Sequence, residues 1–69
     1  MIIQRFEFAN SSMLANCEYD DATQELDVMF LNGKHYIYVD VPKSTYEDLI
    51  NAKSAGHYFN SIKRDLKIK

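Results

Sequence analysis

The chain of 69 residues has one cysteine, one proline, two glycines and no tryptophan. The single cysteine, Cys17, has no partner within the chain, so no intrachain disulfide staples this fold. Gly33 and Gly56 stand far apart, which excludes a glycine-rich loop of the kind that cradles phosphates. With 46% hydrophobic residues, so few glycines and prolines mark a folded chain and exclude a low-complexity or disordered one. Long apolar runs are also missing. Ile2 and Ile3 open the chain, but Gln4, Arg5 and Glu7 break any stretch able to span a membrane. The absence of a leader-like run, together with the lone cysteine, makes the expected location cytoplasmic, with no membrane partner.

The size permits one small core, so residues 1–69 are read as a single domain. Catalytic and metal-binding arrangements are absent too. His35 and His57 stand in different segments and Cys17 stands alone, with no His-x₃-His or Cys-x₂-Cys spacing. Asp20-Asp21 is an adjacent carboxylate pair in a turn, where both groups face water. Cys17 sits mid-strand as a small packed hydrophobe, without a base and an orienting group beside it. The expectation is a non-enzyme with no cofactor and no metal.

Period-two alternation marks four strands. In Ile2 to Phe8, residues Ile2, Phe6 and Phe8 share one side. Ala15, Cys17 and Tyr19 alternate with Asn16 and Glu18. Leu26, Val28 and Phe30 alternate with Glu25, Asp27 and Met29. In Lys34 to Val41, Tyr36 and Tyr38 take one face, and Ile37, Val39 and Val41 the other. Asp20 to Thr23 is a polar turn. Asn32-Gly33 is a hairpin signal, because both residues tolerate positive φ. Connections this short make the strands antiparallel.

Pro42 stops the sheet. Ser44 and Glu47 have the spacing of a capping box, and Tyr46, Leu49 and Ile50 form a helical apolar stripe. Gly56 suits a left-handed residue past the helix end. A second short helix is predicted over about 57–63, with Tyr58, Phe59 and Ile62 inward, followed by an extended segment around Leu66 and Ile68. The fold class is therefore α+β: an antiparallel meander of three to four strands packed against one or two short C-terminal helices.

The net charge of −2 divides unevenly along the chain. Residues 1–52 hold three cations against nine carboxylates, whereas residues 53–69 hold five cations against Asp65 alone. A basic end on an acidic body attracts anions locally.

The stretch YIYVDVPKSTYEDLINAKSAGHYFNSIK, from Tyr36 to Lys63, resembles the KTSC domain family, named after the lysyl-tRNA synthetase C-terminal domain. Tyr36-Ile37-Tyr38 is followed by Val41-Pro42, then by Tyr46, Leu49 and Ala52, then by Ser54 with Gly56, and finally by Phe59-Asn60 and Ile62. The order and spacing carry through residues 14–69, the family core, and leave residues 1–9 as an N-terminal extension strand. Asp65-Leu66-Lys67 departs from the family pattern, standing where that pattern is rich in tyrosine. The resemblance implies a compact α+β domain, found alone in bacteria and phages as well as in the synthetase. RNA binding is suggested for the family, and it offers no catalytic residues to carry over.

The candidate binding residues lie in two groups. Tyr36 and Tyr38 point the same way and could stack bases, as aromatics on sheets do in single-strand binders; the alternative is that both rings lie beneath the helices. Ser54, Gly56 and His57 stand at the start of the second helix, where free amides and the helix dipole favour an anion. At about 100° per residue, Asn60, Lys63 and Arg64 form a polar stripe beside Phe59. The plainer role for Ser54 and Asn60 is capping. The function expected is a small binding module for RNA or a nucleotide or other phosphate-containing ligand. The alternative is a protein-interaction module, such as a phage-type accessory or inhibitor, or a homo-oligomer that sequesters a nucleotide signal.

Overall fold

A computed structural model of the chain describes residues 3–9 and 11–69. The part of the expected first strand that rests on Ile2 lies outside the described residues. Among the described residues, five strands form one antiparallel sheet in sequence order: β1 (Ile3–Glu7), β2 (Leu14–Asp20), β3 (Glu25–Phe30), β4 (His35–Val39) and β5 (Lys67–Ile68). Two helices, α1 (Lys43–Asn51) and α2 (Ala55–Ile62), and a single 3₁₀ turn (Lys63–Asp65) connect β4 to β5. The architecture is the expected α+β meander with two C-terminal helices. The strand beyond the expected four is the short closing segment, whose Ile68 lies opposite Tyr38.

Turn chemistry fixes the meander. Asp20 Oδ1 accepts from the amides of Ala22 (2.9 Å) and Thr23 (3.4 Å), and the Gln24 amide donates to the Asp20 carbonyl at 2.7 Å. These bonds close the β2–β3 turn, with Gln24 at a φ of 59°. In the β3–β4 hairpin only Gly33 has positive φ, at 90°; Asn32 does not. The Gly33 amide donates to the Phe30 carbonyl at 3.0 Å, and the Phe30 amide donates to the Lys34 carbonyl at 2.8 Å. This is a tight turn followed by one left-handed glycine, which needs only a single residue of that conformation.

Alternation then sorts the side chains. Cys17, Tyr19, Leu26, Val28 and Tyr38 point to one face, where Val41, Tyr46, Leu49, Ala55 and Phe59 cover them. Tyr19 stacks on Tyr46 with ring centroids 4.9 Å apart, and its hydroxyl donates to the Val41 carbonyl at 2.6 Å. A buried tyrosine needs such a partner for its polar tip, and the bond also holds the β4–α1 connection onto the sheet. The opposite face carries Arg5, Glu18 and Asp27 and has no layer over it among the described residues.

Three local expectations are corrected. The helix α1 starts at Lys43 with Pro42 as its cap residue, and no side chain caps it. Ser44 falls inside the first turn, so Ser44 and Glu47 form no capping box. The extended Pro42 (φ −64°, ψ 150°) already aims its carbonyl at the Thr45 amide, 3.0 Å away, and sets the start two residues early. At the other end α1 closes through Ala52 in an extended conformation, not through a left-handed glycine. Gly56 instead lies inside α2, because α2 begins at Ala55 rather than near His57.

Candidate functional site

The helix α2 starts where it does because Ser54 caps it. Ser54 Oγ accepts from the His57 amide at 3.3 Å, and the Ser54 carbonyl accepts from the Tyr58 amide at 3.0 Å. Phe59 then points down into the core, meeting Phe30 and Tyr38 edge-on at 5.6 and 5.7 Å. With Phe59 anchored, His57 and Asn60 stay exposed on the outer side of the helix.

Opposite this helix start lies the β1–β2 loop, which sequence patterns alone do not single out. Ser11 Oγ accepts from the amides of Met13 (3.1 Å) and Leu14 (2.8 Å), folding the loop tightly over the entry to β2. Between the loop and α2 runs an open groove of about 350 Å³. Ser54, Gly56, His57 and Asn60 form one wall; Ser11, Ser12 and Met13 form the other. The only local sign of the second wall is a small polar cluster, Asn10-Ser11-Ser12, between two strands. That pattern marks a turn and says nothing of what the turn faces.

Gly56 sits in this wall without a conformational need for glycine, since its φ is not positive. A methyl group there would meet Met13 Cβ and Ser11 Oγ at 3.6 Å, which is ordinary contact. Glycine within a helix costs about 0.5–1 kcal/mol relative to alanine, so its presence leaves the backbone bare at a small cost in stability.

The remaining candidates fall elsewhere. Tyr38 is 5% exposed and Phe59 1%, so both belong to the core and offer no surface to a ligand. Tyr36 is 40% exposed and leans edge-on against Phe30 at 5.8 Å. The aromatic pair is thus split, because Phe59 covers one ring and not the other. Lys63 and Arg64 are exposed in the 3₁₀ turn beyond α2, outside the groove lining. They stand three and four residues past Asn60, on the side of the helix that Asn60 occupies.

The cations divide by partner. Arg5 pairs with Glu7 and Glu18, Lys43 with Asp21, and Lys69 with Glu25. Lys34, Lys53, Lys63, Arg64 and Lys67 have no carboxylate within 4.0 Å among the described residues; three of these five flank α2, which itself contains no acidic residue. Burial and the nearby Asp48 push the Tyr58 hydroxyl above its usual pKa, so it stays neutral. Burial first, and Glu18 second, push the Cys17 thiol up to about 12. A thiol held so far from its thiolate is a poor nucleophile. No group of three or more His, Cys, Asp or Glu is placed to hold a metal ion among the described residues. No described helix is long and apolar enough to cross a membrane.

Together these features define a small single-sheet α+β domain with a polar groove at the helix seam. The KTSC domain model matches residues 10–65, and the chain belongs to that family, whose function is unknown. A crystal structure of a KTSC domain protein from Yersinia pestis superposes with a TM-score of 0.88 at 26% identity, covering 99% of this chain and 96% of that one. Over 52 residues the chain is 38% identical to a protein of Tsukamurella paurometabola, covering 75% of this chain and 78% of that protein. Over 51 residues it is 43% identical to a lysine–tRNA ligase of Nostoc punctiforme, covering 74% of this chain but 9% of the ligase.

Proposed function

We propose that this domain is a non-catalytic module that binds the phosphate backbone of single-stranded RNA along α2. The observation that carries the reading is the charge layout around this helix. On a chain of net charge −2, α2 is free of acidic residues, and Lys53 at one end and Lys63 with Arg64 at the other lack carboxylate partners among the described residues. Cations already paired at the surface gain little from a phosphate, whereas these gain the full attraction and release the counterions around it.

The groove adds directed donors to that charge. Ser12, His57 and Asn60 offer side-chain hydrogen bonds, and the bare backbone at Gly56 admits a close approach. The similarity to part of a lysine–tRNA ligase is in keeping with an RNA partner.

Fluorescence anisotropy with a short single-stranded oligouridylate, titrated at several salt concentrations, tests this. Affinity is expected to fall linearly on a log–log plot of binding against salt. Replacing Lys63 and Arg64 together by alanine should flatten that slope by about 1.4, at about 0.7 for each single-strand phosphate left without its cation. Asn60→Ala should weaken binding and leave the slope unchanged. Absence of binding at low salt would refute the proposal.

A further inference from the structure

A second depression adjoins the groove and is more apolar. It has a volume of about 210 Å³ and lies between the end of β1 and the α1–α2 seam. Phe6, Phe8, Ile50, Ala52 and Ala55 supply apolar surface, and Lys53 and Glu7 supply charge. Phe6 and Phe8 meet edge-to-face with centroids 5.1 Å apart, and both are only partly buried, so ring surface remains in the wall. The bond from the Phe8 amide to the Ala15 carbonyl, at 3.0 Å, holds this stretch against β2.

The two depressions are neighbours by construction. Ser11 lines both, and the residues entering α2 alternate between them: Lys53 and Ala55 face the apolar one, Ser54 and Gly56 the polar one. A ligand seated in both crosses the chain at Lys53-Ser54, with a cation on one side and hydroxyls on the other. Apolar rings and Lys53 on one side, and a row of hydrogen-bond donors on the other, suit a nucleotide whose base lies on the rings and whose phosphate lies by the lysine and the donors.

We infer that the Phe6–Phe8 depression is a base-binding subsite, which holds one unstacked nucleobase while the adjoining phosphate lies in the Ser54–Asn60 groove. The inference rests on the proposed RNA reading and names which part of the RNA each depression takes. Stacking on aromatic side chains tolerates any base, because every base has a π-face. The subsite therefore adds affinity without reading sequence.

The test compares a short oligouridylate with an abasic strand of the same length, which keeps the phosphates and lacks the bases. The intact protein should bind the oligouridylate about tenfold more tightly or better, the gain that one stacked base supplies. Phe8→Leu removes a ring, and Ala52→Leu fills the depression from an extended position that accepts any side chain. Both should abolish the difference while holding the affinity for the abasic strand within about twofold, and circular dichroism checks that each remains folded. Equal binding of the two strands by the intact protein would overturn the base subsite and leave the phosphate reading standing. A difference that survives both substitutions would overturn it too, by placing the base elsewhere. Failure of both strands to bind at low salt would remove the RNA reading and the subsite with it.

Discussion

The two faces of the sheet are made from alternate residues of the same strands, yet they follow opposite rules. On the covered face Cys17 lies opposite Val28 and Tyr19 opposite Leu26, all fully buried. On the open face Glu18 lies opposite Asp27 and Asp20 opposite Glu25. Like charges directly opposed across strands are destabilising, and only part of this charge is answered: Arg5 reaches Glu18 at 3.5 Å and Lys69 reaches Glu25 at 3.3 Å. One face is optimised for stability, and the other gives some away. The open face also accounts for where the remaining cations matter. With Arg5 and Lys69 held there, the chain's unpaired positive charge includes Lys53, Lys63 and Arg64 around α2.

Neighbouring residues show the contrast most sharply. Leu26→Ala deletes buried methyl groups beneath the helices and should cost about 2–5 kcal/mol, enough to threaten a domain this small. Asp27→Ala, one residue along on the open face, should change stability by no more than about 1 kcal/mol, the size of one cross-strand charge pair. Urea midpoints of the two variants measure the asymmetry directly. Equal losses would mean that the open face is covered in solution.

Alkaline pH probes the boundary between the faces at Cys17. Its thiol is raised from 9.0 to about 12, first by burial on the covered face and then by Glu18 on the open one. The raised value favours the protonated form in the folded state. Stability from this group is therefore whole below pH 9.0 and declines as pH climbs toward 12, because the unfolded chain releases its proton first. Burial raises the hydroxyls of Tyr19, Tyr38 and Tyr46 as well, and their contribution enters later, above 10.0. Urea midpoints of the native protein should fall between neutral pH and that window. Cys17→Ala should remove the earlier part of the decline and keep the later part.

This partition is legible in the sequence wherever it depends on local periodicity. Alternation marks β2 and β3 and puts Cys17, Tyr19, Leu26 and Val28 on one side, because strand side chains alternate whatever lies above them. The polar Asp20 turn, Gly33 and the cap at Ser54 are legible for the same reason: each bond joins residues within four positions of one another. Tyr36 and Tyr38 mark where this stops. They share a face by parity, but their exposures of 40% and 5% depend on where Phe59 lands, more than twenty positions along the chain. The groove stays hidden for the same physical reason. Its Ser54–Asn60 wall can be read as a helix start, whereas Ser11 and Ser12 join it only through the fold. Gly56 misleads because a glycine near a helix end usually terminates it. Here the extended Ala52 and the Ser54 cap do that work and leave Gly56 inside the next helix.

The smallest effect isolates the charge on the open face. Asp27 opposes Glu18 and forms no ion pair among the described residues, so Asp27→Asn removes one half of a repulsive pair and breaks no ion pair in doing so. The variant should be more stable by about 0.2–1 kcal/mol at low ionic strength, the usual range for a charge pair across strands. The gain should shrink as salt is added, since exposed charges are screened within about 10 Å at 0.1 M. Thermal midpoints of the two proteins should therefore converge with rising salt. A gain that persists at high salt would trace to packing or hydrogen bonding instead. A loss at every salt concentration would show that Asp27 has a favourable partner in solution that outweighs its repulsion from Glu18.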